Sequence, residues 1–219
     1  MLRVSFDVDA VYCISLEGRE DRRKLFNESI GRMLANSVNF HIVKKNPDPK
    51  KGCYESHQYL ARLALEKGFN RILVFEDDVM AYPLKVNQVK WINRFMHSKP
   101  FEALHLGYSM GKTWLTWFPF IARGNVVALH AYVLSKDGCK ILAETPYGGT
   151  PVDVVFKRKI KQHCAFPMLF RQHAAELAGS DLENTVRNED DWWERNWRKH
   201  LLSPIRIKNI LRTLFRVGV

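Results

Sequence analysis

Two rhythms of apolar and polar positions alternate along the first half of the chain. Ala10 to Leu16 (AVYCISL) is a short apolar run rich in strand formers, and the charged segment from Arg19 to Asn36 carries Phe26, Ile30, Met33 and Leu34 at helical spacing. A strand followed by a helix is expected. The pairing repeats: Val38 to Val43 reads as a strand, and the basic loop KKNPDPKKG leads to a helix over Tyr54 to Lys67, with His57, Leu60, Ala61 and Ala64 on one face and Gly68 as its stop. Arg71 to Phe75 predicts a third strand, Lys85 to Ser98 a helix and Ala103 to Leu106 a fourth strand. This βαβαβαβ order predicts an α/β fold, a mainly parallel sheet flanked by helices, with any ligand outside the carboxyl ends of its strands. The second half is less regular. It holds an aromatic stretch (TWLTWFPF), a β-rich run from Val126 to Leu134, a helix from Ser135 to Glu144, a Gly-Gly-Thr-Pro turn and a helix from about Val152. No Gly/Ser-rich or Pro-rich linker and no internal repeat divides the sequence.

Composition narrows the class. With 219 residues, 46% of them hydrophobic, and only 12 Gly and 9 Pro, the chain is globular rather than disordered or collagenous. No apolar run approaches the roughly 18 residues of a membrane-spanning helix; the richest, Trp114 to Ala122, is broken by Pro119. Asp7 and Asp9 stand where an export signal is apolar, so a cytoplasmic location is expected. Cys13, Cys53, Cys139 and Cys164 form no Cys-x-x-Cys pair and read as free thiols. The net charge of +11 is concentrated late: from Trp192 to Val219 seven Lys/Arg face one acid, Glu194. Two regions are therefore expected, residues 1–191 carrying the chemistry and 192–219 forming a basic tail.

Glu76-Asp77-Asp78 directly follows the strand RILVF, so three carboxylates are placed where a buried strand leaves the sheet. Acids crowded this way repel one another. Either they share a hard cation such as Mn²⁺ or Mg²⁺, which takes oxygen ligands, or they form a solvated loop. Asp21-Arg22-Arg23 opens the first helix, where its N–H groups and guanidinium groups either meet an anion such as a diphosphate or simply complement the helix dipole. Gly52-Cys53-Tyr54-Glu55-Ser56-His57 places Ser56 and His57 near the second helix start, as ligand contacts or as packing and capping groups.

In chain order, VYCISLEGREDRR, GCYESH, RILVFEDDV, LHAYVLSKDGCKIL and PVDVVF resemble glycosyltransferase family 25, which contains lipooligosaccharide glycosyltransferases and collagen galactosyltransferases. The resemblance runs from Val11 to Asp181, with FPMLFRQ and Ser180-Asp181 similar to the family's terminal segment. It implies a single GT-A type nucleotide-diphospho-sugar transferase domain. Glu76-Asp77-Asp78 then stands for the acidic D-x-D-like motif, with Asp78 and Glu76 as metal ligands. Ser15, Arg22, Arg23, Ser56, His57, Glu76 and Asp77 become donor-binding residues, and the donor is a UDP-sugar, with UDP-galactose and UDP-glucose first by analogy. The stretch between the second strand and GCYESH is shorter than in many members, so the acceptor does not carry over.

The family is expected to invert the anomeric centre, which needs a base for the acceptor hydroxyl, and the resemblance assigns that role to Asp153. Without the resemblance, Asp153 reads first as an acid stabilising a helix dipole. His130 reads as an acceptor-side residue or a core histidine; Trp114, Trp117 and Phe118 read as a sugar platform or as core and lid. After Pro204, Ile207, Ile210, Leu211, Leu214, Phe215 and Val217 share one arc of a helix at about 100° per residue, with the cations opposite. Such a helix lies on an anionic membrane where a saccharide or glycolipid acceptor is met, or packs on its own domain with cations outward. A rival of another class is a catalytically inactive binding module attached through this tail to membrane or nucleic acid; no nucleic-acid motif accompanies the charge.

Overall fold

The computed structural model describes residues 3–172 and 189–215. Its strands are β1 (Ala10–Leu16), β2 (Val38–Val43), β3 (Arg71–Glu76), β4 (Val79–Ala81), β5 (Ala103–Gly107), β6 (Met110–Leu115), β7 (Ile121–Val127), β8 (Ala131–Ser135), β9 (Gln162–Ala165) and β10 (Phe170–Gln172). They form one sheet in the order β2-β1-β3-β8-β5-β9-β7-β6, with β10 pairing both β5 and β4. β1 is parallel to β2 and β3, and β5 is parallel to β9 and β10. β8 lies between β3 and β5 and is antiparallel to both. The result is an α/β fold whose central sheet is mostly parallel, as the alternating pattern predicts.

Helices cover both faces: α1 (Glu20–Phe26), α2 (Pro49–Glu66), α3 (Val86–Ser98), α4 (Lys136–Glu144) and α5 (Val152–Lys159), followed by α6 (Glu189–Leu202) and α7 (Ile207–Phe215). The central strands explain why the pattern was readable. In β3, Leu73 and Phe75 enter a core with Phe26 of α1 and Ile92 and Phe95 of α3, while Ile72 and Val74 enter the opposite core with Leu60 of α2, Leu142 of α4 and Phe156 of α5. A strand buried on both faces is apolar at every position.

Several boundaries differ from expectation. The first helix runs only to Phe26 before a π-helical turn over Asn27–Gly31. α2 begins at Pro49 rather than Tyr54, because Asp48 accepts hydrogen bonds from the N–H groups of Lys50 and Lys51 at 3.0 and 3.1 Å and Pro49 needs no partner for its nitrogen. The aromatic stretch lies largely in a β-hairpin, β6 with β7, and the single β-rich run divides into β7 and β8 around Ala128, which has φ +72°. Ser180-Asp181, Arg216 and Val217 lie outside the described residues. Among the described residues, no helix is long and apolar enough to cross a membrane.

Candidate functional site

The strand exits at the carboxyl edge assemble the acids. Glu76 is the last residue of β3, and Asp77 and Asp78 form the turn into β4. Beside it, β1 ends at Leu16 and the chain turns directly into α1, which brings Arg22 under the turn. Arg22 is buried, with Nη1 at 3.0 Å from Asp77 Oδ1 and 3.7 Å from Asp78 Oδ2. Ser15 hydrogen-bonds Asp77 and accepts from Arg23 Nη1 at 3.0 Å. The rest of the Arg23 guanidinium donates to the carbonyls of Leu16 and Glu17, at 2.6 and 3.0 Å.

α2 supplies the facing wall. It is locked onto the end of α4 by Tyr54, whose hydroxyl donates to the Thr145 carbonyl at 2.7 Å, and by Gln58, whose amide nitrogen reaches the same carbonyl at 2.6 Å. That lock aims His57 at the sheet. Its Nδ1 is 2.7 Å from the Tyr132 hydroxyl on β8, and its Nε2 is 3.5 Å from Glu76 Oε1. Gln172, at the end of β10, donates to Glu76 Oε2 at 3.4 Å. Ligand atoms of Cys53, His57 and Glu76 lie within 4.8 Å of one another.

Electrostatics separate the three acids. Burial pushes Asp78 up to about 7, helped by the charges of Glu76 and Asp77 and opposed by Arg22. Burial also raises Asp77, outweighing its hydrogen bonds from Ser15 and Arg22. For Glu76 the balance reverses: burial works against its charge, but the His57 hydrogen bond and the positive charge around it hold this carboxyl below the ordinary range. Asp78 Oδ1 is buried and has no hydrogen-bond partner among the described residues. A desolvated carboxylate oxygen left without a donor, within electrostatic reach of Glu76 and Asp77, fits a hard divalent cation.

Asp153 stands at the start of α5. Its Oδ1 accepts from Val154 N at 2.8 Å and its Oδ2 from Ala128 N at 3.4 Å. The Cys53 thiol connects it to the acids: burial raises this thiol most, and the charges of Glu76, Asp153 and Asp78 raise it further. Glu76, Asp153 and Asp78 therefore all lie within electrostatic reach of this thiol. His130 is fully buried, and burial lowers it to about 4 against the opposing effects of Glu76 and a hydrogen bond to the Phe170 backbone. It has the setting of a core histidine.

Some expected donor contacts go elsewhere. Ser56 is buried, and its hydroxyl donates to the Gly52 carbonyl at 2.8 Å, within its own helix. Arg23 closes the exit of β1, and Arg22 faces Asp77 and Asp78 rather than open space. Phe118 packs against Phe95 at 5.4 Å and Trp114 is buried, whereas Trp117 is 71% exposed. Cys53, Tyr132 and Gln172 are contributors that sequence reasoning missed. Cys53 lies inside the GCYESH motif, one helical turn before His57, which is the signal that was available.

No family model matches this chain, and no curated protein matches it. Solved structures match it distantly. A197 from STIV is 10% identical, covering 86% of this chain and 100% of its own at a TM-score of 0.45. A UDP-glucose pyrophosphorylase complexed with UDP-glucose is 11% identical, covering 87% and 80% at 0.46. A glycosyltransferase involved in glycosylation of the major capsid of PBCV-1 is 16% identical, covering 67% and 74% at 0.39. At these values the likenesses carry no argument about activity, and what this chain does is argued from its own residues.

Proposed function

We propose that the chain is a metal-dependent, inverting glycosyltransferase of GT-A type that moves a hexose from a UDP-sugar to a hydroxyl of a cell-surface saccharide such as a lipooligosaccharide. One observation carries the reading: the buried, unpartnered Oδ1 of Asp78, within electrostatic reach of Glu76 at the exit of a central strand. Asp78 and Glu76 would hold Mn²⁺ or Mg²⁺. When bound, such an ion supplies charge stabilisation for a departing diphosphate.

The remaining groups have separate tasks. Arg22 offsets the negative charge of Asp77 and Asp78 so that the turn stays folded without substrate. His57, fixed by Tyr132, orients the Glu76 carboxylate. Ser15 and Asp77 stand beside one another at the mouth of β1, on the donor side. Two backbone N–H groups hold the Asp153 carboxylate in place as the general base. It accepts the acceptor's proton while that oxygen forms a bond to C1 of the sugar, and the C1–oxygen bond to the diphosphate breaks with its electron pair leaving on UDP. Residues 1–191 carry this chemistry. The basic tail from Trp192 brings the chain, on the cytoplasmic side, to a membrane-borne acceptor.

Calorimetry with UDP and Mn²⁺ tests the reading. The chain is expected to bind UDP only with the metal present, and Asp78→Ala is expected to lose that dependence and metal-stimulated turnover of UDP-sugars. Absence of binding at millimolar nucleotide returns the chain to an inactive binding module, and unchanged turnover in Asp78→Ala removes the metal assignment.

A further inference from the structure

Cys53 and His57 stand four residues apart in α2, so the helix carries both on one face. It is the face that reaches Glu76 at the end of β3. One ligand atom from each of Cys53, His57 and Glu76 lies within 4.8 Å of the other two. His57 Nε2 stands 3.5 Å from Glu76 Oε1, longer than a tight hydrogen bond. That spacing is near the edge of a tetrahedron around a zinc ion, about 3.3 Å for nitrogen and oxygen ligands bonded at about 2.0 Å. The sulfur-to-nitrogen edge is about 3.6 Å, so closing the group needs a shift of roughly 1 Å at most.

Two of the ligands are held from behind. Nδ1 of His57 is 2.7 Å from the Tyr132 hydroxyl, which leaves Nε2 for an ion, and Gln172 donates to Glu76 Oε2 at 3.4 Å, which leaves Oε1. Metal-binding histidines and carboxylates are steadied by outer partners in this way. α2 itself is held by the Asp48 cap before Cys53 and by the bonds of Tyr54 and Gln58 to the Thr145 carbonyl. Cys53 is half-buried and the Glu76 side chain is 25% exposed, so an ion has a way in. Cys13, Cys139 and Cys164 are buried and belong to no such group among the described residues.

We propose that Cys53, His57 and Glu76 form a zinc site with three protein ligands and a fourth position left to water or a substrate oxygen. The donor set selects the ion. A thiolate beside an imidazole favours Zn²⁺ over the hard Mn²⁺ and Mg²⁺, which take oxygen ligands. On binding, the Cys53 thiol gives its proton to solvent as the sulfur takes the ion. Neutral His57 binds through Nε2 and keeps its one ring proton on Nδ1, facing the Tyr132 oxygen. The site shares Glu76 with the hard-cation pair of the proposed function, but it is read with metal alone, so either reading fails without the other.

The test titrates Co²⁺, a coloured substitute for Zn²⁺, into the full chain. One equivalent is expected to bring the absorption of a tetrahedral ion together with a thiolate-to-metal charge-transfer band, and one equivalent of Zn²⁺ is expected to abolish both. Zn²⁺ is also expected to raise the melting temperature, as any ligand of the folded chain does. Cys53→Ser keeps the other three cysteines and is expected to lose the charge-transfer band. By calorimetry it should bind Zn²⁺ more weakly by roughly a hundredfold, the upper end of what loss of an outer partner alone costs. Glu76→Gln keeps the side chain's shape and is expected to weaken Zn²⁺ to a similar extent. A Co²⁺ spectrum without the thiolate band overturns the proposal whether or not either variant folds, as does Zn²⁺ binding that Cys53→Ser leaves unchanged. Tighter binding of Mn²⁺ than of Zn²⁺, with Co²⁺ octahedral, assigns the metal to carboxylates alone and overturns it as well.

Discussion

Arg22 Nη1 lies 3.0 Å from Asp77 Oδ1, joining two buried side chains 55 residues apart in the chain. The pair ties the start of α1 to the exit of β3. Removing the cation leaves a buried carboxylate without its counter-charge, so Arg22→Met is expected to lower stability by about 3–5 kcal/mol. Guanidinium denaturation checks this; a loss under about 1 kcal/mol, the range of exposed pairs, would show that Asp77 is solvated instead.

His57 reaches Glu76 only in the ring orientation that its bond to Tyr132 sets. Tyr132→Phe keeps the packing but leaves Nδ1 of a buried histidine without its hydroxyl partner, and a loss of about 1–3 kcal/mol is expected. The same variant should weaken Mn²⁺-dependent UDP binding in calorimetry. A stability loss with unaltered nucleotide binding would confine Tyr132 to the core.

Gly107 ends β5 against the site. A Cβ there would stand 2.6 Å from the Phe170 carbonyl and 2.7 Å from the His130 ring. The first obstacle is backbone, so the contact cannot be relieved by a rotamer. Gly107→Ala is expected to cost about 1–3 kcal/mol, read from thermal unfolding; a neutral result would mean that β10 yields freely.

Burial depresses both His105 and His163 to about 3, with neighbouring positive charge adding to the effect. The His105 nitrogens have no hydrogen-bond partner among the described residues, and His163 Nε2 lies 3.2 Å from Arg123 Nη1, a contact that only the neutral ring accepts. The unfolded chain binds protons at these rings below about pH 6.5, and the folded chain does not until about pH 3. Stability is therefore intact above pH 6.5 and falls with acidification, by up to about 1.4 kcal/mol per pH unit for each ring. Urea unfolding from pH 7 to 4 measures the slope, and His105→Leu should flatten it; a slope that His105→Leu leaves unchanged would rule out that ring.

The sheet was legible where strands are buried on both faces. β1 and β2 have the bounds expected from their apolar runs, and β3 and β5 extend theirs by one residue. The hairpin of β6 and β7 was not legible, because its partner β9 lies about forty residues further on and Gly111 and Gly124 interrupt the alternation. The start of α2 was readable in principle from Asp48-Pro49, a cap followed by the residue best suited to the first turn. The acids of the site were visible because a strand exit announces its rim. The Cys53, His57 and Glu76 group was hidden, since it depends on how α4 holds α2 against the sheet, which no local spacing encodes.

β8 runs against both of its neighbours, so it meets the acidic rim with its entrance while β3 and β5 meet it with their exits. The turn over residues 128–130 therefore belongs to the rim, and the Ala128 N–H already reaches Asp153 from it. At the opposite end, Ser135 and Lys136 are tied by backbone bonds to Glu102 and Asn70, far along the strands from the acids. Insertions before β8 thus remodel the mouth of the site while the strand register stays intact, whereas insertions after it perturb only the scaffold. This asymmetry lets the mouth of the cleft vary while Glu76, Asp77 and Asp78 stay untouched.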